Sequence, residues 1–357
     1  MAQNTSQNSD NPIGASTNDI TADLKNFVHC SIGSDEFKVL PLAGDASTRK
    51  YFRIVDDSKS WALMVWKPFE SESDYPFLNI QNHFSRSGVE VPEVIAVDKN
   101  LGMILLEDLG DLTLERKYWE TQDHAISVPF YIQAIEELLK IHFTATNDKK
   151  HSCVAFNVEF NTEKFLWEMN YAKTHLIEGI AEVKLSTAAE KGLAKDFESI
   201  CKILDRQPKR ISHRDYHSRN LMIKLDKMKV IDFQDARMGP VQYDLVSLLH
   251  DSYVDMQPNM QNQLLKHYLH RAKEEFNQTF DEDEFNQIMM VQLIQRCFKA
   301  CGSFSSFLNQ RSDRRYLHYI HPTLVKVVNT LDSIEEFRTL RSILVDEGLM
   351  EIDYEAL

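Results

Sequence analysis

The rhythm of hydrophobic and polar positions changes near residue 110 of this 357-residue chain. Between about 36 and 108 the apolar residues alternate or run in short blocks rich in β-branched and aromatic side chains. That pattern predicts strands over 36–42, 49–55 and 60–66. Gly44-Asp45 and Asp56-Asp57-Ser58 mark turns between them. A helix is predicted over 74–86, with Phe77, Ile80 and Phe84 at helical spacing and Gly88 as its stop. Two more strands follow, over 93–97 and 103–106. After residue 110 the pattern turns helical. Ile135, Leu138, Leu139 and His142 share a stripe within 130–144, and further helices are predicted over 162–178, 186–206, 258–277, 281–308 and 322–345. Only 208–250 departs from this. It holds two short strand-like runs, 221–224 and 229–231, beside a dense set of polar residues, and a helix opens at Tyr243-Asp244-Leu245.

This order predicts an α+β chain: a flexible polar tail over 1–20, a small β-rich lobe with one helix over 21–110, and a larger helical lobe over 111–357. A cleft between two such lobes is a common ligand site.

Composition narrows the classes. Hydrophobic residues make up 43% of the chain, enough for a sizeable core. No apolar run approaches the ~18 residues of a membrane span, and the N-terminus has neither the basic start nor the apolar core of a secretory signal. The net charge of −14 argues against a general affinity for nucleic acid or anionic membrane. Five scattered cysteines form no zinc-type spacing and fit a reducing, cytoplasmic setting. No obligate protein partner is evident.

The chemistry concentrates in His213-Arg214-Asp215-Tyr216-His217-Ser218-Arg219-Asn220, followed by the apolar run 229–231 that ends in Asp232. The first segment matches the kinase catalytic loop H-R-D-x-x-x-x-N, and Asp232 stands where kinases place a metal-binding aspartate. Asp215 is the expected base for an acceptor hydroxyl, and Asn220 and Asp232 offer the hard oxygen ligands that Mg²⁺ requires. His213 is expected to support the loop. Asp244 is expected either to cap its helix or to accept loop amides. His217, Arg219 and Arg237 are candidates for substrate contact. For ATP, the small residues Gly44, Asp45, Ala46, Ser47 and Thr48 are expected to let backbone amides approach phosphates. Lys67 is either a phosphate-binding lysine or a solvated one, since Pro68 follows it directly. Glu107 and Leu109, in an extended hinge, are expected beside the adenine.

Taken together, Gly44-Asp45-Ala46-Ser47, Tyr51-Phe52-Arg53, Leu105 to Asp111, His213 to Asn220 and Ile231-Asp232-Phe233-Gln234-Asp235-Ala236 resemble the aminoglycoside phosphotransferase family. Within that family the wording is most similar to bacterial anomeric kinases of cell-wall amino sugars. The resemblance implies a protein-kinase-like two-lobe fold. It also implies ATP-dependent, Mg²⁺-assisted phosphorylation of the anomeric hydroxyl of N-acetylmuramate or N-acetylglucosamine, as in cell-wall sugar recycling. The segment Val65-Trp66-Lys67-Pro68-Phe69 and the basic Arg237 depart from the subgroup's pattern. Two other readings stay open. One is a kinase of an aminoglycoside or choline-like amine, for which the acidic residues over 281–284 could supply a pocket. The other is a non-catalytic nucleotide-binding protein of the same fold. The short gap from Asp232 to Asp244 leaves little room for the activation loop of a protein kinase.

Overall fold

The computed structural model describes residues 17–42, 49–57, 59–120 and 124–357, which form two compact units. The first contains the described residues up to Glu72 together with Pro92–Asp108. Its strands are β1 (Lys38–Leu42), β2 (Lys50–Val55), β3 (Ser60–Val65), β4 (Val94–Asp98) and β5 (Met103–Glu107), paired antiparallel in the order β1-β2-β3-β5-β4. Alternation within the strands puts Ile54, Leu63, Met103 and Leu105 into one core. A helix, α1 (Thr17–Ile32), closes that core with Leu24, Phe27 and Val28. The helix starts inside the stretch expected as tail; the rest of that stretch, and Gly44 to Thr48, lie outside the described residues.

Strand β3 ends at Val65, because the chain then passes over Gly102. A Cβ at Gly102 would overlap the backbone of Trp66 and Lys67, while Trp66 N–H donates to the Gly102 carbonyl at 2.9 Å. Lys67 therefore sits beyond the strand, exposed, rather than at its end. Arg53 on β2 forms a fork with Asp108, at 2.9 and 3.1 Å.

The second unit comprises Ser73–Val91 and Leu109–Leu357. The helix α2 (Pro76–Arg86) thus belongs to the helical unit. Gly88, at φ 76°, ends it. Then come α3 (Leu114–Trp119), α4 (Val128–Leu139), α5 (Thr162–Ala172) and α6 (Thr187–Asp205). The helices α4 and α5 each run on as a π-helical stretch, Lys140–Ala145 and Lys173–Ile180. The polar segment forms two small antiparallel ladders. One pairs β6 (Lys209–Ser212) with β9 (Arg237–Pro240), and the other pairs β7 (Leu221–Lys224) with β8 (Lys227–Val230). The helices α7 (Val241–Leu249), α8 (Pro258–Phe276), α9 (Glu282–Arg311), α10 (Ile320–Leu331) and α11 (Arg338–Asp346) complete the unit. The single helix predicted over 322–345 is two, separated by the turn that follows Leu331.

The long α9 is the axis of this unit, buried along most of residues 285–306. At Gly302 a Cβ would overlap Ala172 of α5, so only glycine lets the two helices come this close.

Candidate active site

The loop after β6 is held from below by one buried carboxylate. Asp244 Oδ2 accepts the His213 N–H at 2.7 Å and Oδ1 accepts the Arg214 N–H at 2.9 Å. Asp244 lies in the first turn of α7, whose start is Pro240, so its carboxylate serves the loop and not the helix end. His142 Nε2 approaches Oδ2 at 3.3 Å while its Nδ1 meets the Tyr268 hydroxyl at 2.8 Å. Burial keeps the His142 pKa below the ordinary range, so the neutral ring donates through Nε2 and accepts through Nδ1. His213 is buried and donates through Nε2 to the Ile231 carbonyl at 2.9 Å, tying the loop to the residue before Asp232. Tyr216 anchors the next step by donating to the Ala134 carbonyl at 2.7 Å. With both sides of the loop fixed, Arg214 adopts φ 84°.

Asn220 and Asp232 come together. Asn220 Nδ2 donates to the Asp215 carbonyl at 2.9 Å and reaches Asp232 Oδ2 at 3.4 Å. Asp232 has left-handed backbone, φ 64°, and is exposed. Phe233, next in sequence, is clamped by α2: its ring lies 5.1 Å from that of Phe77 and 5.9 Å from that of Phe84. The buried phenylalanine thereby fixes the turn that presents the carboxylate. Because the Asn220 amide nitrogen is engaged, its oxygen remains as a hard donor beside a carboxylate. That set fits a divalent cation whose other ligands come from phosphate and water. No cluster of three or more His, Cys, Asp or Glu residues that could hold a metal ion alone occurs among the described residues.

Asp215 lines a pocket of about 120 Å³. The pocket is also lined by His217, Asp251 and Tyr253, and by Arg296 and Lys299 of α9; neither Asn220 nor Asp232 lines it. Arg296 Nη2 and Lys299 Nζ stand 3.6 and 3.8 Å from Asp215 Oδ1, and Arg214 Nε is 3.8 Å from Oδ2. Burial alone would raise the Asp215 pKa. The charges of Lys299, Arg214 and Arg296 outweigh it and hold the carboxyl far below the usual carboxylate range. Burial pushes His217 down to about 4, so its ring is neutral at pH 7. Burial also brings Lys299 down to about 8.

Of the other candidates, Arg219 has its Nε and Nη2 donors occupied. It forks onto Glu115 of α3 at 2.9 Å twice, donates to the Tyr319 hydroxyl at 2.7 Å, and stacks 3.9 Å over the Tyr253 ring. Arg237 lies over Phe160 and donates to the Asp235 carbonyl; it does not line the pocket. Glu107 ends β5 in the first unit, and Leu109 is buried in the second. The acids over 281–284 stand at the start of α9, where Asp281 caps the helix, and none lines the pocket. Arg296 and Lys299 escaped the sequence reading. Their signal was two charges three apart inside the apolar run Met289 to Phe304, a placement that buries both on one helix face.

Residues 38–279 match the phosphotransferase enzyme family, APH. The chain belongs to that family. Its relatives include an N-acetylmuramate/N-acetylglucosamine kinase of Neisseria meningitidis serogroup B, 27% identical over 90% of this chain and 94% of that protein. A protein of the same name from Pseudomonas aeruginosa is 28% identical over 78% of this chain and 80% of its own. Among solved structures, a choline/ethanolamine kinase family protein from Mesorhizobium loti aligns with a TM-score of 0.58 at 15% identity, covering 90% of this chain and 99% of that one. The gentamicin complex of APH(2″)-IIa aligns with a TM-score of 0.57 at 16% identity, covering 88% and 97%. The fold is protein-kinase-like α+β, and the chain is a phosphotransferase. Membership implies ATP as donor together with a divalent cation. No helix among the described residues is long and apolar enough to cross a membrane.

Proposed function

We propose that this phosphotransferase is a cytoplasmic sugar 1-kinase, moving the terminal phosphoryl group of Mg·ATP to the anomeric hydroxyl of N-acetylmuramate or N-acetylglucosamine. Relatives named N-acetylmuramate/N-acetylglucosamine kinase align over most of their length. The observation that carries the reading is the lining of the acceptor-side pocket. Beside Asp215 it presents two cations and aromatic rings such as Tyr253 and Phe304. Aromatic faces suit the C–H face of a pyranose. Polycationic aminoglycosides and choline call instead for carboxylates. Besides Asp215 the pocket has only Asp251, whose oxygens are taken by the Ser218 and Tyr253 amides at 2.8 and 2.9 Å.

Asp215 orients the acceptor hydroxyl. Its oxygen attacks the terminal phosphorus, the bond to the bridging oxygen breaks, ADP departs, and the hydroxyl proton passes to Asp215. Asn220 and Asp232 would hold Mg²⁺, which neutralises phosphate charge. Asp244 and His213 keep Asp215 and Asn220 at fixed separation on one loop.

The test is phosphorus NMR of purified protein with Mg·ATP and a panel of N-acetylmuramate, N-acetylglucosamine, other hexoses, choline and an aminoglycoside. An anomeric sugar phosphate signal, absent with Asp215→Asn, supports the reading. A phosphorylated amine-bearing alcohol moves the substrate class, and tight nucleotide binding without turnover of any acceptor points to a binding protein.

A further inference from the structure

Among the charges around Asp215, the Lys299 ammonium is the one left without a hydrogen-bond acceptor among the described residues. Arg214 is shared with Asp235, whose Oδ2 lies 3.1 Å away. Arg296 and Lys299 stand beside Asp215, and the buried carboxylate of Glu168 acts on both from α5. Both cations are nearly buried, with side chains 10% and 13% exposed. The other acids nearby give Lys299 no hydrogen bond. Glu168 on α5 accepts from Gln295 at 3.0 Å and from Tyr243 at 3.4 Å, and Asp251 serves two backbone amides. Arg296 spends its Nε on the Ser247 hydroxyl at 3.0 Å. The Lys299 ammonium makes no hydrogen bond to any described residue. Its one ion pair, at 3.8 Å, is too long for a hydrogen bond. A nearly buried ammonium with no hydrogen-bond acceptor is costly until one comes to it, and a carboxylate is the strongest such acceptor.

We infer that Lys299, with Arg296, forms a subsite for an anionic substituent of the acceptor, so that the pocket favours a carboxylate-bearing sugar over its neutral counterpart. This rests on the sugar kinase reading and adds the acceptor's charge to it. The subsite lies on the acceptor side, since the same pocket lacks both proposed metal ligands. The reach is right. With hydrogen bonds of about 2.8 Å at each end, Asp215 and Lys299 can engage a hydroxyl and a carboxylate up to roughly 9 Å apart. N-acetylmuramate carries such a carboxylate on its lactyl ether, while N-acetylglucosamine is neutral and otherwise alike. The pair therefore isolates the charge.

The experiment is steady-state kinetics of the full chain with both sugars, comparing wild type, Lys299→Met and Lys299→Arg. Selectivity is read as the ratio of kcat/KM for N-acetylmuramate to that for N-acetylglucosamine, which cancels any shared effect on Asp215 or folding. Loss of a charge-assisted hydrogen bond predicts a fall in this ratio of roughly 10- to 100-fold in Lys299→Met. Lys299→Arg should hold it within about threefold of wild type. An unchanged ratio overturns the inference, whether rates are normal or fall equally on both sugars. The equal fall would assign Lys299 to the transferring phosphoryl group or to Asp215. Wild-type turnover of neither sugar instead defeats the sugar kinase reading, and the subsite with it.

Discussion

Replacing Asp244 by alanine should loosen the loop that carries Asp215 without touching a reacting group. The carboxylate is fully buried and accepts the His213 and Arg214 amides at 2.7 and 2.9 Å. Each buried N–H left without a partner costs about 1–3 kcal/mol. Relief from holding a carboxylate out of water offsets part of that. A net loss of about 3 kcal/mol follows, larger than a typical point substitution. It should be local: His142 also loses its acceptor, but His213 still holds the Ile231 carbonyl. Hydrogen exchange read by mass spectrometry over 209–220 should accelerate by roughly a hundredfold, and turnover should fall with it. The Asp244→Asn variant distinguishes charge from shape. Its amide can accept at one oxygen only and aims a donor at the other N–H, so it should be little better than alanine. Unchanged exchange at His213 and Arg214 in both variants would refute the argument and leave the loop held by the His213–Ile231, Tyr216–Ala134 and Ser218–Asp251 bonds.

Asp232→Ala should abolish cation-dependent nucleotide binding by calorimetry, and unchanged affinity would remove it as a metal ligand. Arg219→Lys cannot keep the two-pronged bond to Glu115 together with the bond to Tyr319; it should cost about 1–2 kcal/mol in thermal unfolding and lower kcat more than KM. Gly302→Val must part α9 from α5 at Ala172, so Tm should drop by about 5 °C with the pocket's residues unchanged in identity. A pH profile tests Lys299, which is charged below about 8 and neutral above it. The groups acting on it are Arg296 on its own helix, Asp215 and Arg214 on the loop, and Glu168 on α5, with His217, His250 and Asp251 also facing the pocket. Preference for the anionic sugar should therefore decline as pH rises through about 8, and the decline should vanish in Lys299→Met. The folded state binds Lys299's proton less readily than the unfolded chain, so this group's contribution to stability rises with pH from about 8 towards the ordinary lysine value.

The strands and most helices were legible because their residues face one core and obey one period. Ile54, Leu63 and Leu105 lie in short apolar blocks of strand length bounded by turns, so the strand signal is local. The helix α1 had the same signal in Leu24, Phe27 and Val28, but it follows a long polar stretch that draws the eye to disorder. The ladder β6–β9 is too short to show a period and joins segments 28 residues apart, from Ser212 to Pro240. For α2 the element was legible and its allegiance was not: its apolar stripe meets Phe233, a partner 150 residues later that no local rule specifies. The candidate site divides in the same way. Asp215, Asn220 and Asp232 stood out because their chemistry needs fixed spacing on one short segment. Arg296 and Lys299 reach Asp215 from a helix some 80 residues on, so proximity exists only in the fold.

The depressed pKa of Asp215 bears on what it can do as a base. A carboxylate held so far below its usual range has little appetite for a proton, and an alcohol gives one up reluctantly. Early, complete proton transfer from hydroxyl to Asp215 would be steeply uphill. The transfer becomes feasible late, once bonding to phosphorus has made the hydroxyl strongly acidic, which accords with the loose transition state of phosphoryl transfer. On this reasoning Asp215 contributes chiefly orientation, its charge held by Lys299, Arg214 and Arg296 across the carboxylate range. An anomeric hydroxyl, more acidic than an ordinary alcohol, eases the same step from the acceptor's side. Two consequences follow for the pH dependence of kcat/KM with the neutral sugar. There should be no acid limb belonging to Asp215 across the carboxylate range, because the group stays ionised there. Replacing Arg296 by methionine should bring such a limb into view by letting the Asp215 pKa rise. A wild-type limb near pH 4–5 that Arg296→Met leaves in place would show that the three cations do not control the carboxylate.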